Sequence, residues 1–142
     1  METIRLLAIF AENKSGQLAR VTGLLAEANI NIRWVAIASS EAFGVVKLLV
    51  DDCDLALSQL KHNGLPVSVL EVLAIEVADR PGGLHRVASC LAENSINVAN
   101  ASGFISNHRA VLLIETKQLA EAKRVLEEKG LRLLSVQEVF QL

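Results

Sequence analysis

Two glycines, Gly16 and Gly82, each follow a short polar run and open an amphipathic stretch, and fifteen residues after each stands an asparagine, Asn31 or Asn97. A glycine at a helix start leaves main-chain N–H groups unpaired at the positive end of the helix dipole and lets a ligand approach the backbone, which is an anion-binding geometry. An asparagine amide both donates and accepts, so it serves a carboxylate and an ammonium group alike. If the helix returns the chain to the strand beside the first, each asparagine comes close to the glycine loop before it. A carboxylate on the helix end, with an ammonium on carbonyl and amide oxygens, describes an amino-acid site.

The device is built twice. "NKSGQLARVTGLLAEANINI" (13–32) and "DRPGGLHRVASCLAENSINV" (79–98) lie 66 positions apart, and nine of the twenty aligned residues are identical: Gly16/Gly82, Leu18/Leu84, Arg20/Arg86, Val21/Val87, Leu25/Leu91, Ala26/Ala92, Glu27/Glu93, Ile30/Ile96 and Asn31/Asn97. A chain of 142 residues therefore reads as two small units, 1–68 and 69–142, each near the lower size at which a chain buries enough surface to fold alone.

The elements that must carry these loops follow from periodicity. Residues 3–10 alternate as a strand, "ENKSG" breaks it, and Ser15 is placed to cap the next helix. From 17 to 28, Leu18, Val21, Leu25 and Ala28 recur at the spacing of one helix face, with Arg20 and Glu27 off it. "INIRWVAIA" and "VVKLLV", parted by "SSEAF", read as a hairpin, as do "INVANASGFIS" and "AVLLI" around "NHR". Second helices over 52–63 and 117–129 stop at Gly64 and Gly130, where a left-handed residue is wanted, and fourth strands are expected near 66–71 and 132–140. "PVSVLEVLAIEV" (66–77) must hold the last strand of one unit and the first of the next. The fold class is α+β: two ferredoxin-like βαββαβ units with antiparallel sheets side by side.

Composition excludes several functions. The net charge is −2 with acids and bases interspersed, so no basic field attracts nucleic acid or an anionic membrane surface. Five aromatics in all are too few for an RNA-binding sheet. At 51% hydrophobic the chain has apolar surplus, yet no run reaches the roughly 18–20 residues of a membrane span, so buried interfaces and a homo-oligomer, a dimer, are expected. "METIRLLAIF" reads as a first strand rather than a secretion signal, which places the protein in the cytoplasm. Cys53 and Cys90 are expected as free thiols, and His62 and His108 have no partners at ligand spacing; no metal, cofactor or catalytic group is assigned. His85 reads as an exposed helix histidine and Trp34 as a core or interface aromatic.

The two twenty-residue segments resemble the opening of ACT domains, the small modules that bind amino acids in enzymes of amino-acid metabolism: Asn or Asp, a basic residue, Pro or Ser, Gly, one residue, Leu, a short helix, then "INI" or "INV". The resemblance implies a tandem ACT pair without a catalytic domain, a small free amino acid as ligand, and a separate enzyme of amino-acid metabolism, or the protein's own oligomer, as the responder. It also implies that the loop of one unit faces the second strand of the other. Site one then combines Asn13, Lys14, Ser15, Gly16, Gln17 and Leu18 with Asn97 and Val98. Site two combines Asp79, Arg80, Pro81, Gly82, Gly83 and Leu84 with Asn31 and Ile32. Asp79 departs from the Asn13 pattern; an acceptor-only carboxylate disfavours a nearby ligand carboxylate, so the sites differ in affinity. Two other readings compete on the same plan: an acylphosphatase-type enzyme using Arg80 and Asn97, and a purely structural assembly subunit.

Overall fold

The computed structural model describes residues 3–40 and 42–142. The chain divides into two compact units, Arg5–Leu70 and Glu71–Leu142, the latter joined by Thr3 and Ile4. The first unit runs β1 (Ile4–Glu12), α1 (Gln17–Glu27), β2 (Ile32–Ser40), β3 (Phe43–Val50), α2 (Cys53–His62) and the opening residues of β4 (Val67–Val77). The second takes the rest of β4 and adds α3 (Gly83–Glu93), β5 (Asn100–Ser106), β6 (Arg109–Glu115), α4 (Leu119–Glu128), β7 (Arg132–Leu133) and α5 (Val136–Phe140). The expectation that 66–77 holds two strands is met by one uninterrupted strand.

Strand order is β2-β3-β1-β4 in the first unit and β5-β6-β4 in the second, with β7 also paired to β4. Both are the antiparallel arrangement of a βαββαβ unit, in which the third strand lies between the first two. The register Leu7↔Leu48 and Ile9↔Val46 sets these four side chains on one face, where they meet Val21 and Leu25 of α1 and Ala56 and Leu60 of α2. The second core repeats the plan at the 66-residue offset, with Leu73, Ile75 and Ile114 of the sheet against Val87, Leu91, Ala122 and Leu126. Burying each such Leu, Ile or Val side chain contributes roughly 1.5–3 kcal/mol.

All four longer helices stop in the same way. The residues after their C-caps, Asn29, Gly64, Ser95 and Gly130, have φ of 58°, 75°, 55° and 79°. The N–H groups of Ile30, Leu65, Ile96 and Leu131 reach back to the carbonyls of Leu25, Leu60, Leu91 and Leu126 at 3.0, 3.1, 2.9 and 3.0 Å. This is the Schellman motif, and both members of the apolar pair that usually accompanies it are buried in the same core in each case.

Two expectations fail. Ser15 caps nothing: the N-cap of α1 is Gly16 at φ 91°, with no side-chain bond, and Gly82 does the same for α3 at φ 88°. A left-handed residue at the cap displaces the serine from the position whose hydroxyl reaches the first-turn N–H groups. Residues 132–140 are not a strand. β7 ends after Leu133, and Ser135 and Glu138 form a capping box that starts α5. The Ser-x-x-Glu spacing carried that signal, and apolar alternation alone misread it.

Among the described residues no helix is long and apolar enough to cross a membrane, and no group of three or more His, Cys, Asp or Glu is gathered for a metal. Cys53 and Cys90 are free thiols; burial raises the Cys53 pKa, keeping it protonated, and Cys90 Sγ donates to Val125 O at 3.5 Å.

Replacing Gly64 or Gly130 by alanine places a Cβ in the left-handed region and is expected to cost roughly 1–2 kcal/mol. Asn29→Gly and Ser95→Gly relieve the same strain and should be neutral or mildly stabilising. Urea midpoints of the four variants test this; equal losses at all four sites would show that the left-handed turn is not what sets the cost.

Candidate functional site

The glycine loops are held open by short main-chain bonds. In the first, Lys14 N–H donates to Glu12 O at 3.0 Å, Gln17 N–H to Lys14 O at 3.3 Å and Asn13 N–H to Ala42 O at 2.6 Å. In the second, Arg80 N–H donates to Ala78 O at 2.9 Å and Gly83 N–H to Arg80 O at 3.0 Å. Leu18 and Ala19, like Leu84 and His85, have first-turn N–H groups with no main-chain acceptor among the described residues, as helix starts leave them. A Cβ on Gly16 or Gly82 would meet nothing within 4 Å, so both glycines are there for their φ. Gly83 differs: its Cβ would lie 1.9 Å from Ala78 O. The first repeat carries Gln17 at that position, so the two loops cannot follow one path.

Asn13, Lys14 and Ser15 are exposed, as are Asp79, Arg80 and Pro81. Lys14 pairs with Glu12 at 3.4 Å with both side chains well exposed, a contact worth little. Leu18 and Leu84 lie exposed on the first turns of α1 and α3. His85 sits beside Ser89, with Oγ and Nε2 3.1 Å apart.

Asn31 and Asn97 have pinned main chains. Asn31 N–H donates to Asp51 Oδ1 at 3.1 Å and its carbonyl accepts from Asp51 N–H at 3.1 Å. Asn97 N–H donates to Gln118 Oε1 at 3.1 Å and its carbonyl accepts from Thr116 Oγ1 at 2.7 Å. Both residues are exposed, and neither side-chain amide has a hydrogen-bond partner among the described residues. Ile32 and Val98, next in sequence, are half-buried.

Within one unit the asparagine does not meet the loop. β3 separates β1 from β2, and the eleven residues of α1 or α3, at 1.5 Å each, put about 16 Å between their ends. Asn31 therefore stands at the far end of α1 from Asn13 and Gly16, and Asn97 at the far end of α3 from Arg80 and Gly82. The expected proximity is corrected: a β1–α1–β2 crossover that skips a strand carries the chain away from the loop. The same span separates Arg80 from Asn97, so the second unit does not assemble the acylphosphatase-type pair.

Arg20 and Arg86, identical in both repeats, close the other helices. Arg20 Nη2 donates to Asn63 O at 3.1 Å and Arg86 Nη2 to Lys129 O at 3.0 Å. Each guanidinium satisfies a carbonyl at the negative end of a helix, α2 or α4. Helix-face reading had only placed Arg20 away from the core; the partner lies 43 residues on and no local pattern names it.

Beside each arginine is a cleft that sequence reading missed. The first, of 670 Å³, lies where β1 runs out, with Phe10, Lys14, Arg20, Phe43, Leu65 and Pro66 among its walls. The second, of 320 Å³, uses the matching positions, including Glu76, Arg80, Arg86, Leu131 and Arg132. There Glu76 accepts from Arg109 Nε at 2.7 Å and from Arg132 Nη1 at 2.8 Å, and Arg132 also pairs with Glu138. The hydrogen bond from Arg109, then that from Arg132, lowers the Glu76 pKa from 4.5 to about 2 against the opposing effect of burial.

A model of the ACT domain pair family matches residues 2–142. None of the curated proteins matches. Among solved structures, a protein from Bacteroides thetaiotaomicron has a TM-score of 0.92 at 33% identity, over 99% of this chain and 98% of its own. The ligand-free regulatory subunit of aspartate kinase from Thermus thermophilus has a TM-score of 0.62 at 16% identity, over 91% of this chain and 93% of its own. Its counterpart from Thermus flavus gives 0.60 at 14%, over 92% and 94%. At those two identities the likeness is one of fold alone.

Gly83→Ala is expected to destabilise the protein by about 1–3 kcal/mol through overpacking against Ala78 O, while Gln17→Ala stays within about 0.5 kcal/mol of the parent; thermal melts distinguish them. Because the Glu76 pKa is depressed on folding, its contribution is fully present above pH 4.5 and is lost as pH falls from there towards 2. Glu76→Gln should therefore lose stability less steeply than the parent over that interval, read from melting temperature against pH. Parallel curves would show that Glu76 does not govern acid lability.

Proposed function

We propose a function from one premise: this chain belongs to the ACT domain pair family. The reading is a non-catalytic regulatory protein that binds a small free amino acid and passes its occupancy to a separate enzyme of amino-acid metabolism or to its own oligomer. The ligand carboxylate rests on a glycine-capped helix start and the asparagine amide of another ACT unit completes the site. Asn13 to Leu18 work with Asn97 and Val98, and Asp79 to Leu84 with Asn31 and Ile32.

The observation that carries this reading is the state of Asn31 and Asn97. At the same offset in both repeats, each has its main chain anchored on both sides and an exposed, unengaged amide. An anchored donor and acceptor with nothing to bond is what a ligand-binding amide looks like before its ligand arrives. The separation of about 16 Å along α1 supports pairing a loop with the asparagine of a different unit, because an amino acid cannot span it.

Membership of the ACT domain pair family over residues 2–142 supports a non-catalytic role, and the same fold is used by the regulatory subunits of aspartate kinase from Thermus. The second proposed feature is a cytoplasmic homodimer. In the first unit β2 is an edge strand, and it exposes Val35 (50%) and Ile37 (52%), apolar surface that a partner strand would cover.

Calorimetry against the twenty amino acids tests the ligand. Asn31→Ala and Asn97→Ala each remove hydrogen bonds to a charged group worth roughly 1.5–3 kcal/mol. Each is thus expected to weaken one site about ten- to a hundredfold while leaving the ligand-free melting temperature unchanged. If no amino acid binds the parent at millimolar concentration, the sensor reading fails and an assembly subunit is the better account. Light scattering at micromolar concentration should give twice the chain mass, and the chain mass itself would defeat the dimer.

A further inference from the structure

The two clefts compare one scaffold with two fillings. Phe10, Phe43 and Pro66 occupy the repeat positions of Glu76, Arg109 and Arg132. Backbone pairing brings each trio together in the same manner. Phe10 pairs with Val45, which sets Phe43 diagonally beside it, and Phe10 N–H donates to Pro66 O at 3.0 Å. Glu76 pairs with Val111 and with Arg132, and Arg109 is its diagonal neighbour. In the second unit the trio is charged and satisfies itself through the Glu76 ion pairs. In the first it is apolar and uncovered, with Phe10 49% and Phe43 69% exposed.

Two cations, Lys14 and Arg20, also line the cleft, together with the acidic Glu12. Arg20 spends one of its five donors on Asn63 O. Among the described residues Lys14 pairs with Glu12 alone, an exposed contact that yields readily to another anion. A cleft of 670 Å³ lies within the roughly 300–1,000 Å³ of small-molecule sites, which are mostly apolar with a few convergent polar groups. The first unit alone supplies every wall of it.

We infer that the first cleft is a binding site for a small apolar carboxylate, an acid with an aromatic or branched aliphatic body. Its body lies on Phe10, Phe43 and Pro66, and its carboxylate faces Lys14 and Arg20. The aromatic floor favours a ring laid against it. The second cleft does not take such a ligand, because Glu76, Arg109 and Arg132 fill the corresponding surface with charges already paired. The cleft shares Lys14 and Gln17 with the loop of the amino-acid reading above but not Asn13, Asn31 or Asn97, so the asparagines tell the two readings apart.

The test is an NMR titration of the full chain with 3-phenylpropanoate, 3-phenylpropanol and acetate, followed at the amides of Phe10, Phe43 and Leu65. The acid should saturate at low millimolar concentration, the alcohol should bind about tenfold more weakly, and acetate should give no saturable shift. Combining Phe10→Glu, Phe43→Arg and Pro66→Arg should weaken the acid at least tenfold, and it should fold because the second unit carries that trio on equivalent strands. Lys14→Gln should weaken the acid severalfold and leave the alcohol unchanged. Asn31→Ala and Asn97→Ala should leave probe binding intact, so failure of the amino-acid site and failure of this one are read separately. Equal binding of acid and alcohol, retention of binding by the triple variant, or loss of it in an asparagine variant would overturn the inference. So would a triple variant that changes oligomeric state where the parent shows no response to the acid, which would make the cleft a self-association surface.

Discussion

A helix packed on a sheet must stop at a defined residue and release the chain in a defined direction, and here one left-handed residue does both. Asn29, Gly64, Ser95 and Gly130 each reverse the chain after the last helical turn, and the residue that follows reaches back to a helix carbonyl and buries its side chain beside the leucine there. Those eight buried residues, Leu25 with Ile30, Leu60 with Leu65, Leu91 with Ile96 and Leu126 with Leu131, tie every longer helix to its core. The starts of β2, β4 and β7, and the anchored positions of Asn31 and Asn97, descend from these stops.

Because the stops and cores are repeated position for position, the differences between the units lie where packing does not decide the residue. The glycine loops keep Gly16 and Gly82 at the same φ but differ at Gln17 and Gly83. The ends of the central strands differ most, with an apolar trio in one unit and an ion cluster in the other. A duplicated chain thus keeps its scaffold through the leucines and varies its chemistry at the sheet end, where substitution leaves the core untouched. Arg20 and Arg86 belong to the scaffold, since each completes a helix terminus.

The residues on which the two proposed sites rest share a property: main-chain groups are secured by the fold while side chains stay uncommitted. Asn31 and Asn97 show it for the amino-acid reading, and Phe10 and Phe43 for the apolar cleft. An anchored main chain spares a ligand the cost of ordering the backbone, leaving only side-chain freedom to be lost on binding. Glu76 is the contrast. Its oxygens already accept from two arginines, which favours the ionised form and gives that end of the second unit a structural role.

Much of this was legible in the sequence. The 66-residue repeat, the helix spans, the hairpins and the stops at Gly64 and Gly130 follow from periodicity and turn chemistry, which act over a few residues. α5 was legible too, in the Ser135–Glu138 spacing, but alternation pointed to a strand and only the early end of β7 settles it. Asn31 stands at the opposite end of α1 from Gly16 because of the helix span itself. Tertiary structure alone placed β3 between β1 and β2, because the sequence names the order of strands along the chain and not across the sheet. It alone brought Phe10, Phe43 and Pro66 to one floor and Arg20 to Asn63, since strand register and helix packing join residues tens of positions apart. Local patterns specify elements; which side chains share a surface is set by long-range pairing that no short window contains.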